Sequence, residues 1–171
     1  DGWFGHRNDD STSLGDWFVN EEKITGGLKY LVDEVNKLGL KFGIWMEPEM
    51  ISPDSKLYKE HPDWAIAVKD RVGTLSRNQY VLDLSRKEVR DCIYDKIYAI
   101  LSSANIAYVK WDMNRQLTDM GSLMLPADRQ GELAHRYVLG VYEMQERLIH
   151  DFPDLLLENC SGGGARFDPG M

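Results

Sequence analysis

A lysine, an aspartate and an asparagine stand at alternate positions, Lys110, Asp112 and Asn114, in the segment Tyr108-Val109-Lys110-Trp111-Asp112-Met113-Asn114-Arg115. Side chains alternate along a strand, so Tyr108, Lys110 and Asp112 would share one face, and Asn114 would follow if the extended path continues. A carboxylate beside a cation stays ionised at neutral pH, the state that a carboxylate nucleophile requires. The spacing therefore predicts that Lys110 keeps Asp112 charged. The same spacing also fits a structural ion pair at a strand end, since perturbed carboxylates occur in both settings.

Three further groups have chemical uses. Trp45 would share a strand face with Gly43 and close an apolar run; it is a core residue or a flat wall suited to the C–H face of a sugar. Glu158-Asn159-Cys160-Ser161-Gly162-Gly163-Gly164 follows three leucines. Consecutive glycines let a backbone approach a ligand closely, or simply make a tight turn. Glu158 has the parity of Leu156, and Cys160 reads as a small, buried residue. Arg77 and the acids Asp1, Asp9, Asp10 and Asp16 lie in loop-like stretches where solvated charges are the ordinary case. The four histidines form no metal-ligand pair. A metal reading exists nonetheless. Asp112, Asn114 and Glu158 could be oxygen ligands of a magnesium-dependent barrel enzyme of the enolase type, with Lys110 as base. It leaves Trp45, Arg77 and the glycine loop without a role.

The elements that would position these residues alternate between helix and strand. Leu28, Leu31, Val32, Val35 and Leu38 recur at helical spacing, with Gly39 where a C-terminal cap belongs. Residues 40–46 are apolar and too short for a helix before Pro48, which predicts a buried strand. A short helix is expected near 55–60 and a short strand at 79–83. Ser85-Arg86-Lys87-Glu88 has capping-box spacing and would open an amphipathic helix through Leu101. Residues 106–111 read as a strand, 129–150 as a helix and 154–159 as a last strand. Such alternation implies parallel strands, in an open doubly wound sheet or a (β/α)8 barrel. The barrel is favoured because each strand ends in polar or aromatic residues: Trp45-Met46-Glu47, Lys110-Trp111-Asp112 and Glu158-Asn159-Cys160. Barrel enzymes build their sites at those ends. No Gly-x-Gly-x-x-Gly follows a strand, so a dinucleotide fold lacks its main support.

The chain has 171 residues, 43% hydrophobic and 28% charged, with a formal charge of −8. That charge argues against a nucleic-acid partner, and no run of 18 apolar residues suggests a membrane span. Cys92 and Cys160 show no disulfide-scaffold spacing. With no recognisable secretory signal, the expected compartment is the cytoplasm. A whole barrel needs about 250 residues, so the expected domain is an incomplete catalytic barrel over 1–171. Its two sheet edges would be unpaired, and the isolated piece is expected not to be a stable monomer. A cooperative melt of the purified piece would contradict that.

Together the segments resemble glycoside hydrolase family 36, the melibiase α-galactosidases. The matching motifs are DGWFGHRND at the start, LGDW at 14–17, KFGIWMEPEM at 41–50, RNQYVLDLS at 77–85, YVKWDMNR at 108–115 and ENCSGGGARFDPGM at 158–171. They run in family order along the whole chain. The resemblance implies an α/β fold, part of a (β/α)8 TIM barrel from roughly strand two or three to strand five. It implies a retaining hydrolase of terminal α-galactosyl residues in melibiose- or raffinose-type sugars, without a cofactor or metal. Asp112 would be the nucleophile. Asp1, Trp45, Arg77, Lys110, Asn114, Cys160, Gly162 and Gly163 would contact the sugar, and the acid/base would lie beyond Met171. The piece alone would then be inactive. The resemblance also implies a homo-oligomeric parent, a tetramer by family analogy, with no nucleic-acid or membrane partner. Within the superfamily, raffinose-synthase-like enzymes transfer galactose, and others act on N-acetylgalactosamine; the CSGGG loop favours plain galactose. A non-catalytic carbohydrate-binding piece would keep Trp45, Lys110 and Asp1 but need no nucleophile.

Overall fold

The computed structural model describes residues 1–162, 166 and 168–171. In chain order the elements are α1 (Gly27–Lys37), β1 (Phe42–Met46), β2 (Met50–Ile51), α2 (Lys56–Glu60), β3 (Tyr80–Val81), α3 (Lys87–Ser102), β4 (Ile106–Trp111), α4 (Leu133–Asp151) and β5 (Leu156–Asn159). Short 3-10 turns occupy Pro62–Trp64 and Ala127–Glu132. No described helix is long and apolar enough to cross a membrane.

Strands β1, β4 and β5 form one parallel sheet in that order. The register sets Trp45, Lys110 and Glu158 in one row and Gly43, Tyr108 and Leu156 in the next. These rows share a face, because parallel partners point the same way and the side-chain period is two. The opposite face carries Ile44, Met46, Val109 and Trp111. All four are buried in one apolar cluster with Val89, Ile93 and Ile97 of α3 and Tyr137, Val141 and Met144 of α4. Burial of such side chains stabilises by about 1.5–3 kcal/mol each, so this outer layer anchors the sheet on its helices. The first face stays more open: Leu156 is 66% exposed. Gly43 is a packing requirement, since a Cβ there would lie 2.4 Å from Cδ1 of Tyr108.

The helices and the three parallel strands follow the apolar periodicity, and Gly39 stands just past α1 at φ 77°. Three details differ from the sequence reading. The strand read at 79–83 is confined to Tyr80–Val81, and it pairs antiparallel with β2, a two-residue strand too short to leave a pattern. The helix read at 129–150 starts with a 3-10 turn through Glu132 before α4. The capping box at 85–88 does not form, and Arg86 is the boundary residue of α3. Buried Asp83 instead accepts the Ser85 N–H at 3.1 Å and the Ser85 hydroxyl at 2.5 Å, while Glu88 accepts from Arg86 Nε at 2.8 Å. An aspartate two residues upstream forms the local turn first, so the serine is no longer free to cap.

Candidate active site

The C-terminal ends of β1, β4 and β5 converge on Asp112. Its backbone N–H donates to Met46 O at 2.8 Å, which locks the residue after β4 to the end of β1. Its carboxylate accepts from Trp45 Nε1 at 2.9 Å, from Asn114 Nδ2 at 2.8 Å and from its neighbour Met113 N at 3.0 Å. Cys160, just past β5, donates its backbone N–H to Trp111 O at 2.8 Å and turns its thiol toward the same carboxylate. Burial alone would raise the Asp112 pKa. The hydrogen bonds from Trp45, Asn114, Cys160 and Met113 outweigh it and hold the carboxyl below the usual aspartate value. An ionised, oriented carboxylate at a strand end is suited to nucleophilic attack or to stabilising a cation.

Lys110 does not supply that stabilisation, contrary to the spacing argument. Its ammonium pairs with Glu158 Oε1 at 3.5 Å, across the register row that joins the two residues. Asp112 lies past the last strand residue, where its carboxylate is taken up by neutral donors instead. Glu158 also accepts the Tyr108 hydroxyl. The oxygen-ligand reading fits poorly as well, because Asn114 turns its amide nitrogen toward Asp112 and Glu158 is engaged by Lys110 and Tyr108. Among the described residues no group of three or more His, Cys, Asp or Glu side chains is placed to hold a metal ion.

The other residues named from the sequence fall as follows. The Trp45 ring stacks on Phe4 with centroids 6.2 Å apart, and its carbonyl accepts from Trp3 Nε1 at 2.8 Å. Asp1 and Trp45 line a common cleft of about 200 Å³ with Trp3, Phe42 and Gly43, and the exposed Asp1 carboxylate accepts from Arg7 Nε at 2.9 Å. Gly162 adopts φ +47°, and a Cβ there would sit 3.2 Å from Met113 O, so the loop after β5 lies directly against the Met113–Asn114 backbone. Trp45, Asp112, Asn114, Cys160 and Gly162 are thus brought together, with Lys110 beside Trp45 in the sheet. Arg77 is exposed at the Ser76–Gln79 turn with φ 52°, and among the described residues it makes no hydrogen bond to this group. Gly163 lies outside the described residues.

Two glutamates in the Trp45-Met46-Glu47-Pro48-Glu49 stretch were not named as site residues. Glu47 is 2% exposed; its Oε1 accepts the Asn114 N–H at 2.6 Å and Gln79 Nε2 at 3.4 Å. Burial pushes its carboxyl up to about 7; Asp112 adds to the rise, while the Asn114 hydrogen bonds and Arg7 oppose it. Glu49 is fully buried and accepts from Trp111 Nε1 at 2.8 Å, Tyr137 Oη at 2.5 Å and Arg166 Nε at 2.7 Å. The available signal was their setting: two acids flanked by Met46, Met50 and Ile51, where a solvated loop would not put methionines.

The sequence profile of the family described as Melibiase matches residues 1–171. The chain belongs to the melibiase family. This melibiase-family chain is 58% identical over its full length to alpha-galactosidase 1 of Pediococcus pentosaceus, of which it covers 23%. It is 56% identical to alpha-galactosidase AgaA of Geobacillus stearothermophilus, of which it covers 24%. Among solved structures, it superposes on the GH36 alpha-galactosidase AgaB of the same species with a TM-score of 0.97 and 56% identity, covering all of this chain and 24% of that one. AgaA variants with raffinose and with stachyose both give TM-scores of 0.96. The chain therefore spans about a quarter of the length of these relatives, and its α/β architecture is part of their barrel domain.

Proposed function

We propose that the protein containing this chain is a retaining α-galactosidase acting on raffinose-type α-galactosides, with Asp112 as nucleophile. The observation that supports this most is the Asp112 carboxylate, buried at the sheet's C-terminal edge yet kept ionised by neutral hydrogen-bond donors. Asp112 would attack the anomeric carbon as the glycosidic bond breaks, giving a galactosyl ester. A second carboxyl about 5–5.5 Å away would protonate the leaving oxygen and later activate the water that cleaves the ester. That second group belongs to a part of the protein outside this chain. Trp45 offers a flat wall to the sugar's C–H face while its N–H holds the nucleophile. Asp1, Lys110, Asn114, Cys160 and Gly162 are the sugar-facing candidates around it, and Arg77 joins them only if its turn folds over the mouth.

The test is the full-length protein on p-nitrophenyl α-galactoside beside its Asp112→Ala variant. The expected result is hydrolysis by the parent and a kcat at least about 10³-fold lower in the variant, with the α-anomer of galactose as first product. An inactive parent, or a variant within tenfold of it, would overturn the assignment.

A further inference from the structure

The last two residues of β1 and the residue after it each grip the Asp112–Asn114 turn by a different atom. Trp45 donates its indole N–H to the Asp112 carboxylate at 2.9 Å. Met46 accepts the Asp112 backbone N–H on its carbonyl at 2.8 Å. Glu47 accepts the Asn114 backbone N–H on Oε1 at 2.6 Å. Asn114 in turn places Nδ2 on Asp112 Oδ2 at 2.8 Å. The first and last of these donors converge on one oxygen of the nucleophile, so the direction of that oxygen depends on where Asn114 sits. The only side chain on the Asn114 N–H among the described residues is Glu47.

We propose that Glu47 is a positioning residue for the nucleophile, its carboxyl holding the Asn114 N–H so that the Asn114 amide lies on Asp112 Oδ2. This rests on Asp112 being the nucleophile. Glu47 is itself nearly inaccessible, so it acts through Asn114 rather than by touching sugar. The charged groups facing it are Asp112, from the end of β4, and Arg7, from the N-terminal loop, and neither forms a direct bond to it. Gln79 packs against it from the β3 side with a long 3.4 Å contact, and among the described residues Gln79 Oε1 has no hydrogen-bond partner. The 3.4 Å contact falls on Glu47 Oε1, the same oxygen that serves Asn114. A glutamine at position 47 with its oxygen in that place keeps both contacts and puts its amide nitrogen where Oε2 lay.

The experiment is a double-mutant cycle in the full-length protein, assayed at pH 5 on p-nitrophenyl α-galactoside after the Asp112→Ala control. We expect Glu47→Gln to stay within about threefold of the parent. Glu47→Ala should lose about tenfold or more in kcat with KM within about threefold, the signature of misplacing a reacting group. In an Asn114→Ala background, Glu47→Ala should cost less than about threefold further, because the path it serves is already cut. Equal losses in both backgrounds, or a KM that rises in step with the fall in kcat, would overturn the positioning role. If Glu47→Ala does not fold, Glu47→Asp, which shortens the reach to Asn114, replaces it with the same expectations. A parent that is inactive, or indifferent to Asp112→Ala, sinks the function itself and this inference with it. A failed cycle in an otherwise Asp112-dependent enzyme sinks only the inference.

Discussion

Glu47 and Glu49 are two residues apart, share the same side chain and are 2% and 0% exposed, yet their surroundings differ in kind. Glu49 points into the layer between sheet and helices, where Arg166 lies along both of its oxygens at 2.7 and 2.9 Å and two more donors, Trp111 and Tyr137, complete it. Glu47 points toward the mouth, has no cation in direct contact among the described residues and faces the like charge of Asp112, and its carboxyl is pushed up to about 7. Burial alone therefore does not decide what a carboxylate does; the partners do. The ion-paired acid ties the segment after β5 to the end of β1 and to α4. Glu47 sits beside Asp112, the proposed nucleophile, where a carboxyl near neutrality is more often found.

The largest effect should come from breaking the paired acid. Arg166→Met in the full-length protein leaves Glu49 buried without its cation and should destabilise by about 3–5 kcal/mol, read as a lowered denaturation midpoint. A double variant, Glu49→Gln with Arg166→Met, should recover much of that loss, since no lone charge remains. If Arg166→Met is neutral, the two glutamates are alike and the contrast fails.

Glu47 gives the next effect, with a definite sign. Its folded-state pKa is raised from 4.5 to about 7. Between those values the folded state holds a proton that the unfolded chain has released. Stability is then greatest below about 4.5 and falls as pH rises through 7, by on the order of 3 kcal/mol. Glu47→Gln cannot ionise, so its stability relative to the parent should improve from pH 5 to pH 8. Thermal melts of the two proteins at both pH values check this, and a constant difference would mean that Glu47 is charged throughout.

Most of the scaffold was legible in the sequence because apolar spacing and strand-ending polar residues report directly on burial. The parallel strands, α1, α3 and the place of Asp112 all follow from it. What was illegible depended on competition between neighbours. Ser85 had the right spacing for a cap, but Asp83 took its hydroxyl. Glu47 and Glu49 lie in a single short motif, and only tertiary partners such as Asn114, Tyr137 and Arg166 separate their roles. Strand β2 is two residues long, so it has no period to read.

The smallest predicted effect tests the same rule on the third acid, Asp112, where sequence spacing and structure name different stabilising groups. Lys110 is two residues away in sequence, but its ammonium is on Glu158; Trp45 is 67 residues away, and its N–H is on the carboxylate. Asp112 has a lowered pKa, so activity that needs its ionised form is present above that value and lost as pH falls through it. Trp45→Phe keeps a ring over Phe4 and deletes one donor. It should move the acid limb of kcat/KM to higher pH by about one unit or less. Lys110→Met should leave that limb in place while raising KM, since it removes a candidate sugar contact and frees Glu158. If the lysine variant moves the limb as far as the tryptophan variant does, the charge of Lys110 reaches Asp112 after all, and partner geometry is a poorer guide here than sequence spacing.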